Sequence, residues 1–137
     1  MGNSNFDTIV ASLTGNVTGN LTPPSVARTA TSDGLTTGII ADAGSLQFVA
    51  VTSANAAHIV ALPAPTPGTI VVLYVGANGY ELKSSAPATV AINGGTGASV
   101  SSTVSANKMV VAICTSALTW HAFTITAATL AALEAAA

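Results

Sequence analysis

Two histidines (His58 and His121), one cysteine (Cys114) and five acids (Asp7, Asp33, Asp42, Glu81 and Glu134) are the side chains with the widest chemical reach in this sequence. Such residues can hold a metal, but a structural site takes four ligands and a catalytic one about three. Neither a His-x-x-x-His pair nor a second cysteine is there to complete a set. A Ser/His/Asp triad could draw on any of the serines, yet no Gly-x-Ser-x-Gly nucleophile elbow occurs. Glycoside cleavage needs two carboxyl groups facing each other. Asp33 and Asp42 fall in a linker and Glu81 in a hairpin, so nothing in their spacing sets up such a pair. The run Asn93-Gly94-Gly95-Thr96-Gly97 lacks the lysine and following helix of a phosphate loop and reads as a turn. Glu81 and Lys83, two apart, share one face of a strand and read as a solvated surface pair. This inventory predicts a protein that is not an enzyme and holds no cofactor or metal.

Composition narrows the remaining classes. Half of the 137 residues are hydrophobic and only 6% are charged, against about 25% in ordinary soluble proteins. Arg28, Lys83 and Lys108 are the only bases, and the net charge is -2. Nucleic-acid binding is not expected, because affinity for phosphate rests on clustered Lys and Arg. A surface so poor in ions can be buried against a neighbour at little desolvation cost. The greasiest run, residues 70–75, is far short of the roughly 20 residues of a spanning helix, so no membrane span is expected. Residues 1–7 carry no basic cluster, and no secretory leader is expected; the Asn-x-Thr matches at Asn16 and Asn20 then read as accidents of a repeat. Cys114, alone in an apolar run, reads as a buried structural thiol.

The elements that would position these side chains are short. From Leu46 onward, β-type runs alternate with turn chemistry about every ten residues, which predicts an all-β sandwich or barrel, and the form expected over residues 46–126 is an antiparallel sandwich or jelly-roll-like knob. The expected strands are 46–52, 58–62, 68–75, 80–84, 89–92, 99–104, 108–114 and 118–126. Asn78-Gly79 gives the strongest hairpin signal, since a type I′ turn needs positive φ at both central positions. Pro63, Pro65 and Pro67 predict an exposed, extended connection. Runs 70–75 and 109–114 are apolar on both faces and should be central in the domain or buried in an oligomer interface. Trp120, Phe123 and Phe48 are expected in the core, with Trp120 the one aromatic side chain to test as a sugar platform. Residues 25–45, rich in Ser, Thr, Gly and Asp, read as a linker. The Ala-rich tail, 127–137, reads as a docked helix or a frayed end.

Ahead of this domain lies a different texture. In Leu13-Thr14-Gly15-Asn16-Val17-Thr18-Gly19-Asn20-Leu21-Thr22 an apolar residue recurs every fourth position, and Ile9 falls in the same series. Glycine, Thr and Asn are poor helix formers, so a strand fits better. Ile9, Leu13, Val17 and Leu21 then share one thin apolar side, and Thr and Asn line the other. A lone strand cannot bury its apolar side within itself. Residues 1–24 are therefore expected to be an extended arm that lies along copies of this chain or a partner. Residues 8–22 would reach on the order of 50 Å when extended. Arg28, the only arginine, is grouped with the arm as an assembly contact, either anchoring a partner carboxylate or facing solvent.

The Thr-Gly-Asn repeat resembles the repeats of phage head-fibre and tail-fibre stalks. The stretches Ala61-Leu62-Pro63-Ala64-Pro65-Thr66-Pro67-Gly68-Thr69-Ile70, Ala91-Ile92-Asn93-Gly94-Gly95-Thr96-Gly97 and Thr119-Trp120 resemble β domains of capsid decoration (cement) or head-fibre proteins of tailed bacteriophages. The resemblance spans residues 13–126. It implies a homotrimer on the outer surface of an icosahedral virion, cementing neighbouring subunits of the major capsid protein. Fibre stalks carry many repeats and this chain has barely three, which favours a compact decoration protein. A glycan-binding receptor tip of a head or tail fibre is the alternative.

Overall fold

A computed structural model describes residues 23–97 and 99–125. They form nine strands: β1 (Ser25–Thr29), β2 (Leu46–Thr52), β3 (Ile59–Ala61), β4 (Ile70–Val75), β5 (Tyr80–Lys83), β6 (Ala91–Ile92), β7 (Ser102–Val104), β8 (Met109–Ser116) and β9 (Thr119–Ile125). The domain is all-β, with no helix among the described residues. Each of the eight runs expected from 46 to 126 overlaps a strand, and β2 has the expected bounds.

Two sheets hold these strands. The larger has the order β1-β2-β4-β8-β9-β6 and the smaller the order β3-β5-β7. The expectation of an antiparallel fold is corrected here, because both sheets are mixed. β1–β2, β2–β4, β3–β5 and β6–β9 run parallel, whereas β4–β8, β5–β7 and β8–β9 run antiparallel. The cause is the path of the chain. After β2 it alternates between the sheets at every step up to β8, so successive strands of one sheet are joined through the other. A strand that leaves and returns in this way can lie parallel to its predecessor, which a tight hairpin forbids.

That path also corrects the reading of Asn78-Gly79. The two residues join β4 to β5, which belong to different sheets, so they make no hairpin, and neither has a positive φ. Asn78 Nδ2 instead donates to Ser53 O at 3.0 Å. Gly79 is needed for close approach, since a Cβ there would stand 2.3 Å from Val104 O. The Asn-Gly hairpin turn is at Asn93 and Gly94, with φ of 51° and 86°. Ile92 N donates to Gly95 O at 3.1 Å and Gly95 N to Ile92 O at 2.9 Å across it.

Residues 25–45 do more than link. They supply β1, and Ala30 and Ile40 enter the core. Gly38 N donates to Gly34 O at 3.0 Å in a single helical turn that packs on β3. A Cβ on Gly34 would fall 2.2 Å from Ile59 O, so only glycine allows that contact. Gln47 is fully buried. With its amide turned so that Nε2 donates to Ala41 O (3.0 Å) and Oε1 accepts from Ala43 N (3.2 Å), it pins the loop before β2.

One hydrophobic cluster draws on both sheets. Val49, Val51, Val71, Leu73, Val75, Val110, Ala112, Cys114 and Trp120 come from the larger sheet, and Val60, Tyr80, Leu82 and Val104 from the smaller. Of the proline run only Pro67 is exposed; Pro63 is fully buried, contrary to the expected exposed connection. Lys83 is buried too, which corrects the solvated pairing with Glu81.

Candidate functional site

Among the described residues, those singled out for chemistry do not converge; Asp7 and Glu134 lie outside them. His58 stands just before β3 with Nδ1 3.2 Å from Ala30 O, while His121 is exposed on β9. Asp33 caps the helical turn through its backbone carbonyl, which accepts from Thr36 N and Thr37 N, and Asp42 Oδ1 accepts from Gly44 N at 3.2 Å. No cluster of three or more His, Cys, Asp or Glu exists among the described residues. Cys114 is buried in β8, where its Sγ donates to Ser116 O at 3.2 Å. Burial pushes its thiol above the usual range, so it is a poor nucleophile there. The cavity between Leu82, Ser84, Val90 and Ile92 measures about 10 Å³, room for about one water and no substrate.

The unusual surface is the second face of the larger sheet. β2, β4 and, up to the bulge at Ser116, β8 alternate, and their register brings the outward residues into rows across neighbouring strands. One row runs Ser25, Phe48, Val72, Val111 and Phe123, and the next runs Ala27, Ala50, Tyr74, Met109 and Ile125. A third joins Leu46, Ile70, Ile113 and His121. No Asp, Glu, Lys or Arg stands in any of these rows. Phe48 is 43% exposed, Tyr74 52% and Phe123 57%. A half-solvated sheet usually alternates apolar-in with polar-out. Here both faces are apolar and no described residue covers the second, which is the mark of an interaction surface. A shallow groove of about 180 Å³ opens on it between Phe48, Val72, Tyr74 and Met109.

At one end of this sheet lies β1, which the chain enters directly from Pro23-Pro24. Pro24 O accepts from Phe48 N and Ala30 N donates to Thr52 O, so the even-numbered residues face β2. In a parallel ladder the main-chain groups of Ser25, Ala27 and Thr29 then point to the free edge. Arg28 is on the inner side, paired in register with Val51 and half-buried; its Nε is buried without a hydrogen-bond partner among the described residues. Ile9, Leu13, Val17 and Leu21, and the tail 127–137, lie outside the described residues.

The aromatic assignments divide. Trp120 is fully buried in the core, as expected, and so offers no sugar platform. Phe48 and Phe123, expected beside it, are on the open face instead. Strand parity carried the signal. Trp120 and Phe123 are three apart, so one strand must send them to opposite faces, and Phe48 is out of phase with Val49 and Val51.

At the far end of the sheet Asn93 acts as an extra strand residue. Its Oδ1 accepts from Ala122 N and its Nδ2 donates to Ala122 O, both at 3.0 Å, while its own N donates to Trp120 O at 2.9 Å. This latch holds β6 and its turn against β9, the strand that presents Phe123. Comparison with known proteins finds no matching family model, no matching curated protein and no matching solved structure.

Proposed function

We propose that this chain is a structural virion protein of a tailed bacteriophage, which decorates the outside of the icosahedral capsid and cements neighbouring subunits of the major capsid protein. In this reading the domain is a sandwich-like knob, three copies associate, and the arm of residues 1–24 lies along capsid subunits through Ile9, Leu13, Val17 and Leu21. The observation that carries the reading is the uncharged, apolar second face of the larger sheet, with the chemically capable side chains scattered among the described residues. Such a surface suits permanent contact with other chains and offers nothing to a reaction. The entry of the chain at the edge strand β1 supports the arm, since a strand emerging there can extend a neighbour's sheet by main-chain bonding.

Deleting residues 1–22 is expected to abolish binding to capsid shells and leave a folded domain. Full occupancy by the truncated protein would refute the arm's role. A glycan-binding fibre tip ranks second. Phe48, Tyr74 and Phe123 offer exposed rings for stacking on sugars, but the face around them is poor in polar groups to orient a sugar. Glycan-array binding lost in Tyr74→Ala would favour that reading over decoration.

A further inference from the structure

We infer that the open face of the larger sheet is where copies of this chain meet one another; the inference rests on the decoration reading and assigns its self-association to a surface. The three rows across this face contain no Asp, Glu, Lys or Arg. A partner chosen by charge would find nothing to match, whereas an identical face is complementary in polarity and brings no ion to desolvate. Relief on the face is complementary too. Phe123 stands out from β9, and the groove of about 180 Å³ beside Tyr74 is at the β2–β4 side, so one copy offers a knob and another a hollow.

Area supports the same occupant. The strands β1, β2, β4, β8 and β9 span about 19 Å at about 4.8 Å per spacing, and six residues of strand run about 20 Å. One face therefore projects to about 400 Å². Two faces bring about 800 Å² of flat area, which side-chain relief raises to about 1,000–1,200 Å², the threshold of a specific interface and the size of a weak, concentration-dependent one. The chain's own residues 126–137 follow β9 and are the rival cover. They leave β9 at Ile125, in register with Met109 at the rim of the groove, but they consist of Ala, Thr, two leucines and Glu134, with no aromatic side chain to fill it.

Sedimentation of the full chain at micromolar concentration, alone and as Phe123→Lys and Tyr74→Lys, tests the inference. Both side chains are more than half exposed in the single chain, so far-UV circular dichroism and melting should show the fold intact. The expected result is an oligomer for the parent chain and at least a tenfold weaker association for each lysine variant. An oligomer that both variants leave unchanged overturns the inference while the decoration reading stands. A monomeric parent chain also overturns it, and apolar-dye binding gained only on removal of residues 126–137 then assigns the cover to the tail. Shell binding with the arm deleted reads the decoration hypothesis separately.

Discussion

Leu73 and Tyr74 are neighbours on β4 that point to opposite faces, and truncating each to alanine separates the core from the open face. Leu73 is fully buried between the sheets. Removing its branched end deletes about 2.4 kcal/mol of transfer free energy, from three methylene-sized groups at about 0.8 each, and the cavity left behind adds more. A cost of about 3 kcal/mol follows, lowering the melting temperature by about 15 °C in a domain of this size. Tyr74 keeps 52% of its surface exposed, so in an isolated chain Tyr74→Ala forfeits only about 1 kcal/mol. The proposed contact between copies would bury the rest of that ring. Urea titrations at protein concentrations from about 1 to 100 µM distinguish the two, because only linked association makes stability concentration-dependent. Leu73→Ala should lower the midpoint by the same amount at every concentration, whereas Tyr74→Ala should cost little at low concentration and more as concentration rises. Equal, concentration-independent losses for both variants would refute the assignment of the two faces.

Asn93→Ala removes both side-chain bonds to Ala122 and places alanine at a φ of 51°, so a loss of about 2–3 kcal/mol is expected in denaturant titration, with little recovery in Asn93→Asp, which lacks the Nδ2 donor. Tyr80→Phe should be neutral or stabilising by about 1 kcal/mol at pH 7, since the buried Tyr80 hydroxyl has no hydrogen-bond partner among the described residues. Burial raises the Tyr80 phenol above its ordinary 10.0, so both states stay protonated below pH 10 and the group is silent there. Above pH 10 the unfolded chain loses the proton first, and stability should fall by about 1.4 kcal/mol per pH unit. Tyr80→Phe should flatten that slope in melts between pH 10 and 11. The raised Cys114 thiol, acting with the same sign from about pH 9, leaves a residual slope.

Alternating hydrophobicity was enough to find the strands from Leu46 onward and to place β4 and β8 centrally, because two apolar faces leave a strand no other position in a sheet. Strand direction was not legible. Asn78-Gly79 has hairpin composition, but a turn of two or four residues can as easily carry the chain to another sheet, and Val104 O decides the matter from elsewhere in the sequence. β1 was hidden in a Ser- and Thr-rich stretch because an edge strand needs only one half-buried side, supplied here by Val26 and Arg28. Lys83 reads as a surface residue in the sequence, and only tertiary packing places it, like the polar Gln47, inside. The open face was half legible. The two-faced strands were expected to be central in the domain or buried in an oligomer interface, but Phe48 and Phe123, two of the large side chains on the open face, were counted into the core.

On the proposed reading a tailed phage encodes this chain, and imaging that phage's shells after incubation with the purified protein tests the decoration proposal most directly. Averaged particles should show the domain at symmetry-related positions on the outer surface, with a fixed copy number per capsomer and density leading from the β1 edge along capsid subunits. Bare shells, with the protein left in the supernatant at concentrations well above the shell sites, would contradict it.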